Sequence, residues 1–390
     1  MPKTLLRDPA AFGGHKQGDL LIGAPVIRSG KLTGLDTVAS SQPAPIVIPP
    51  LTEPHCHLDK CYTIGRLGPV AGDLATAIAA QYNDKVNWTA QDIRARASRG
   101  LSEAQEAGVT TLRSHVDWGD GILPPLSWHI LREIAQETPQ VTLQLSPLTG
   151  VDRMADRAFT AQLAQAAAQA KGALGAFVQN HTHMHDGIRM MFEAAQKHAL
   201  PLDFHVDEGL ADLNGLEMVA DLALETGFDG PILCGHAVSL MNRDEGAFAR
   251  IADKLARAGI TVCALPTTNL YLQDRRTGTP DRRGITRLRE LRAAGVSVLV
   301  GSDNVADAFC PMGQFDPMAA LHLAALAAHL DPPMAHWLDM ITTDARRALG
   351  FDPQYIEDTP LDHLLISVAT DCEALVAGRN PLRPMQSLLT

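Results

Sequence analysis

The sequence predicts a closed parallel (β/α)8 TIM barrel, and three observations point to it. Eight apolar segments of strand length recur, at 51–58, 109–116, 141–148, 174–180, 202–207, 232–238, 260–266 and 296–303. Stretches of helical periodicity, many of them Ala-rich, alternate with these segments. Most of the strand segments are continuously apolar instead of alternating, as expected for parallel strands covered on both faces.

Taken in order, the elements support this reading. Helical stretches are expected at 89–107, 156–171, 187–199, 213–226, 243–258 and 285–294, each polar on one face. Gly108, Gly259 and Gly295 stand between a helical run and a β-branched strand start, where a left-handed glycine ends a helix. Residues 19–37 and 362–376 read as short strands with glycine turns. These ends either pair with each other or form local hairpins packed on the barrel.

Composition narrows the function. Hydrophobic residues make up 46 % and charged residues 20 %, the balance of a globular chain. With 33 Lys and Arg against 44 Asp and Glu, the formal charge of −11 disfavours nucleic acid as a partner, because phosphate-backbone affinity is largely electrostatic. A small-molecule ligand fits better, with a homo-oligomer left open. The start of the chain lacks a signal-type apolar region, and no apolar run reaches the ~18 residues of a membrane helix. The cysteines at 56, 61, 234, 263, 310 and 372 contain no C-x-x-C pair. A cytoplasmic location is expected.

The chemistry concentrates at strand ends. His55 and His57 are at positions i and i+2 of the first strand, so both imidazoles project to one face while Cys56 points away. His205 ends the fifth strand, His236 the sixth and Asp303 the eighth. Any one of these alone also suits a core histidine or a helix cap. Together they fall on the C-terminal rim where sites of this barrel collect, and they suit one divalent ion.

The motifs HCHLDK, HVDEG, GHAVSL and the run at 269–313 closely resemble the cytosine deaminase branch of the amidohydrolase superfamily, and the resemblance extends over about 49–350. It implies a metal-dependent barrel at 49–350 with a small β-sandwich from 1–48 and 351–390. It also implies one Zn or Fe ion on His55, His57, His205 and Asp303. A metal of this kind supplies hydroxide at neutral pH and so the nucleophile for a hydrolytic deaminase of a cyclic amidine or aminated N-heterocycle. Glu208 is expected to protonate the ring nitrogen, His236 to orient or deprotonate the water, and Asp303 to pass a proton to the departing ammonia. Glu208 also suits a bland role at a helix N-terminus. His115 is expected to hydrogen-bond to the metal site, and Lys60 to meet either an anionic substrate group or a nearby Asp. His181, His183 and His185 read as pocket wall or lid, with a metal comb as the alternative.

Departures from the family pattern bear on the substrate. Leu148 stands where cytosine deaminases carry a glutamine that holds the pyrimidine edge, Asn304 replaces an acid, and Phe309 replaces a tryptophan over the ring. Cytosine itself is therefore disfavoured. Two alternatives remain: cleavage of an N-alkyl or amide C–N bond in an aminotriazine-like or cyclic amide substrate, and an inactive ligand-binding barrel. No lysine occurs at 173–186, so the carbamylated lysine of binuclear cyclic amidases is not expected.

Overall fold

The computed structural model describes residues 1–37, 45–68 and 72–385. Among these, eight parallel strands form the barrel: β1 (Leu51–Cys56), β2 (Val109–Asp117), β3 (Thr142–Leu148), β4 (Leu174–Val178), β5 (Leu202–Val206), β6 (Ile232–His236), β7 (Thr261–Ala264) and β8 (Ser297–Val300). β1, β2 and β3 make one continuous ladder and β4 to β8 another. Two seams join them. At one, Asp303 N donates to His55 O (2.9 Å) beside a Cys56–Asp303 bridge; at the other, Phe177 N donates to Thr149 O (2.9 Å) beside a Gly150–Phe177 bridge.

Every residue of β1, β5, β6 and β7 is buried, which explains the continuous apolar strand pattern. Outer helices begin where polar side chains satisfy free backbone N–H groups. Thr89, Asp156 and Asp244 cap Ala90–Glu106, Arg157–Gln169 and Glu245–Arg257 in this way. Gly108, Gly259 and Gly295 are all left-handed, as the helix-end reading requires. The helix expected at 285–294 covers only Leu288–Ala293. Thr286 Oγ1 donates to His236 O at 2.6 Å, which ties the residues before it to the barrel rim as a loop.

The chain ends meet as well. Leu365–Ser367 pairs antiparallel with Ile46–Ile48 on one side and with Arg383–Pro384 on the other. Ala24–Arg28 and Lys31–Asp36 form a hairpin whose turn, Ser29-Gly30, has φ of 49° and 72°, the left-handed pair that matches strand twist. The expected strand at 362–376 is correct only in its first half. Asp371 accepts from Ala374 N and starts a short helix at Cys372–Val376.

A polar layer crosses the barrel interior. Arg113 on β2, with no exposed surface, donates to Asp203 Oδ2 (2.6 Å) and Gln144 Oε1 (2.8 Å). Such a buried pair persists only when its hydrogen bonds are met, and these side chains meet them under the rim where the site lies.

Candidate active site

The strand ends deliver the side chains. His55 Nε2 lies 3.1 Å from His205 Nε2, and His205 Nε2 lies 3.2 Å from His57 Nε2. Asp303 Oδ1 is 3.2 Å from His57 Nε2 and 3.5 Å from His55 Nε2. His57 falls just past β1, yet it shares the cluster with His55, while Cys56 Sγ turns outward to Arg113 O (3.4 Å). Gly235 on β6 makes room for this arrangement, because a Cβ there would stand 2.8 Å from His55 Cε1.

Three rim residues leave their strands with left-handed backbones: Asp207 (φ 54°), His236 (φ 69°) and Asp303 (φ 63°). Non-glycine residues rarely adopt this conformation, and it is characteristically held at functional sites by the structure around it. Asp207 shows how. Its carboxylate accepts from Gly215 N (2.9 Å), Leu216 N (3.1 Å) and Ser239 Oγ (3.1 Å), so it fastens the turn after β5 to the start of helix Gly215–Thr226. Glu208, the next residue, is thereby fixed at the cavity, where its Oε1 lies 3.6 Å from His236 Nδ1. His236 Nδ1 is also 3.0 Å from Asn269 Oδ1. An amide oxygen only accepts, so Nδ1 carries a proton, and Nε2 is buried without a hydrogen-bond partner among the described residues.

A cation fits the cluster. Burial pushes His55 down to about 3 and His57 to about 4, so both imidazoles are neutral at pH 7 with lone pairs available. Both Asp303 oxygens are buried without hydrogen-bond partners among the described residues, and the Nε2 atoms of His55 and His57 each face His205 Nε2 at 3.1 and 3.2 Å. Native interiors rarely leave polar atoms unmet, and three imidazoles with a carboxylate are a usual donor set for zinc or a similar ion. Ligand atoms of His55, His205, His236 and Asp303 all lie within 4.8 Å of one another.

The cluster floors a cavity of about 270 Å³ whose wall includes Glu208, Leu148, Asn304 and Phe309. Asn304 Nδ2 is already committed to Asp307 Oδ2 (2.7 Å). Lys60 meets Asp117 Oδ1 at 2.6 Å, which decides for the internal ion pair over a free cation. Burial pushes Glu208 up to about 7, into the range of a general acid at neutral pH.

Of the other expected residues, His115 makes no hydrogen bond to the cluster but stands against it, a ring nitrogen within 4.8 Å of those of His55, His57 and His205. Its ring centroid is 4.1 Å from that of His55, and its Nε2 is spent on Asp203 Oδ1 (2.9 Å), because the Arg113–Asp203 pair lies directly beside it. His183 and His185 are exposed, and His181 Nδ1 accepts from Gln179 N (3.0 Å), so the triplet forms no comb. Three contributors escaped the sequence reading. Asn269, on the short helix Pro266–Leu272, reaches back to His236, and Asp207, on the turn after β5, reaches forward to Gly215, Leu216 and Ser239; neither spacing is periodic. Glu53 accepts from His55 N (3.0 Å) and from Ser302 N (3.1 Å), across the β1–β8 seam. The E in LTEPHCH was the available sign of it.

A model of the amidohydrolase family matches residues 66–355 of the chain. The chain belongs to the amidohydrolase family. This amidohydrolase is 35 % identical over 311 residues to a pterin deaminase of Rhizobium rhizogenes, covering 78 % of this chain and 70 % of that one. Its fold is similar to that of 5-methylcytosine deaminase from Klebsiella pneumoniae liganded with 5-fluorocytosine, with a TM-score of 0.80, 24 % identity, and 92 % and 91 % of the two chains covered. N-isopropylammelide isopropylaminohydrolase from Burkholderia multivorans matches at a TM-score of 0.73 and 22 % identity, over the same shares of the two chains, 92 % and 91 %. Among the described residues no helix is long and apolar enough to cross a membrane.

Proposed function

We propose that this amidohydrolase is a hydrolytic deaminase of a 2-amino-4-oxopteridine or a closely related aminated ring, with one divalent ion, Zn or Fe, held by His55, His57, His205 and Asp303. The carrying observation is Glu208 Oε1 at 3.6 Å from His236 Nδ1, in the cavity that this cluster floors. The identity to a pterin deaminase supports the substrate class. When bound, the ion lowers the pKa of a water molecule towards about 7 and so makes hydroxide available at neutral pH.

The chain's own residues manage protons and orientation. His236 Nε2 orients the water or takes its proton. Glu208, kept protonated near neutrality by burial, protonates the ring nitrogen next to the attacked carbon. Asp303 takes a proton from the attacking water and hands it to the departing nitrogen. Overall the water oxygen becomes the new carbonyl oxygen, one water proton ends on the ring nitrogen, and the other leaves with the amino group as ammonia. Most of the cavity surface is apolar, with Leu148 and Phe309 beside the ring. Free, buried cysteines suit a reducing cytoplasm.

The test is release of ammonia from pterin by metal-replete protein, followed together with formation of the 2,4-dioxopteridine. Pterin left intact while another aminated heterocycle turns over would replace the substrate class; no ammonia from any of them would remove the deaminase reading. The apolar wall at Leu74, Ile78 and Leu148 favours N-alkyl cleavage as the second reading. N-alkylated aminotriazines in the same assay, scored for released amine, separate the two.

A further inference from the structure

Between β1 and the first outer helix the chain makes an excursion containing helix Leu74–Asp84. Asp73 caps it by accepting from Thr76 N (3.0 Å), and its Ala77 packs against Leu272 and Ala308 in a small buried cluster of its own. That packing places Gln81, one turn further on, in the cavity wall at only 2 % exposure. Gln81 Oε1 lies 3.2 Å from Thr63 Oγ1, whereas its Nε2 has no partner among the described residues. An amide NH2 buried with nothing to donate to is costly, so a ligand atom that accepts from it gains more than the same contact would in water.

Two neighbouring polar groups already donate to carboxylates. Lys60 is taken by Asp117, and the Asn304 amide by Asp307. At the end of β3, Leu148 offers the cavity only carbon. Gln81 is therefore the amide on this wall that is both buried and left with an unpartnered NH2, while Gln179, also in the wall, is only half-buried. We propose that Gln81 is a specificity-determining residue: its Nε2 donates to the oxo oxygen of the ring whose amino carbon is attacked at the His/Asp floor. The assignment rests on the deaminase reading above and adds to it that the ring carries an oxo group, read by a helix outside the barrel strands.

Pairs of substrates differing at that one group test it. Pterin has a 4-oxo group, while 2,4-diaminopteridine presents a second NH2, which cannot accept from Gln81. Wild-type protein should prefer pterin. Gln81→Leu should lose about 10- to 100-fold in kcat/KM on pterin, the range of a buried unpaired polar group, and change less than about threefold on the diamino compound. Gln81→Glu, which only accepts when ionised, should shift preference towards the diamino ring, and it keeps the test alive if the leucine variant unfolds. Calorimetric binding of the dioxo product, lumazine, should weaken in Gln81→Leu by the same factor, with metal content and melting temperature unchanged. Equal losses on both substrates, or none on either, overturn the assignment while leaving the deaminase reading intact. Wild-type turnover of the diamino ring in preference to pterin does the same. Failure of wild-type protein to turn over either pteridine or to bind lumazine overturns the pteridine substrate class and this assignment with it, while ammonia release from another aminated heterocycle would keep the deaminase reading.

Discussion

At the cavity floor, His55 and Asp303 expose none of their surface, and each predicted ligand is set by a strand end and its ladder. At the mouth, helix Leu74–Asp84 and the residues around it leave Ile78 49 %, Tyr82 70 % and Val86 87 % exposed. The floor has many polar atoms and little freedom. The mouth has large apolar side chains and few hydrogen bonds to fix them. Groups that do chemistry need sub-ångström placement, which packed strands supply, whereas groups that admit or refuse a substituent can sit on a helix that packs through one small cluster. Changes at the floor should therefore abolish turnover, and changes at the mouth should redistribute it among substrates.

The largest effect should come from the floor. Replacing His55 and His57 together by alanine should take bound metal from about one equivalent to near zero and activity with it. Measured by elemental analysis, two tightly held equivalents in the unmodified protein would contradict a single-ion floor. Next comes Glu208→Gln, which should keep the metal and still bind lumazine while kcat falls by ~10² to 10⁴. Because burial pushes Glu208 up to about 7, kcat/KM of the unmodified protein should hold below that pH and fall above it as the acid loses its proton. The glutamine variant should lack this alkaline limb; an unchanged limb would move the acid to another residue.

Between floor and mouth lies Leu148. Cytosine should be a poor substrate, with kcat/KM well under ~10⁴ M⁻¹s⁻¹, and Leu148→Gln should raise it about tenfold by supplying the missing amide. Adding Asn304→Asp should not help, since the new carboxylate would face Asp307 where the amide now donates at 2.7 Å. The smallest effect belongs to the mouth. Tyr82→Ala should change pterin turnover less than about threefold but alter the ranking of pteridines with bulky substituents. A loss as large as that of Glu208→Gln would mean that the mouth takes part in the chemistry.

The same contrast governs what was legible in the sequence. The floor could be read because strand ends carry local signals: His55 and His57 two residues apart, His205 and Glu208 within one turn, Asp303 closing an apolar run. Helix Leu74–Asp84 gave no comparable signal, since its sequence, LATAIAAQYND, leaves Ile78 and Tyr82 on the exposed side and buries Ala77 and Gln81. Its large apolar residues Ile78 and Tyr82 face the cavity mouth while only small ones such as Ala77 meet a core, which blurs the usual periodic stripe. The left-handed backbones of Asp207, His236 and Asp303 depend on tertiary support and are invisible to propensity. Asn304 was identified as a departure, but its bond to Asp307 depends on how the loop after β8 folds.

Glu53 and Ser302 are 249 residues apart, and their hydrogen bonds join the first barrel strand to the last. Contacts of such separation carry a large loop-closure cost and form only once the intervening units are in place. His55 and His57 lie on one side of this seam and Asp303 on the other, so ring closure and assembly of the donor set are a single event. An ion that binds only the closed ring favours it by about 4 kcal/mol at a thousand times its dissociation constant. A chain that ends before Asp303 lacks both the seam and the carboxylate of the donor set. Competence thus arrives with the final clasp of the barrel, and metal scarcity would register first as chains that fail to stay shut.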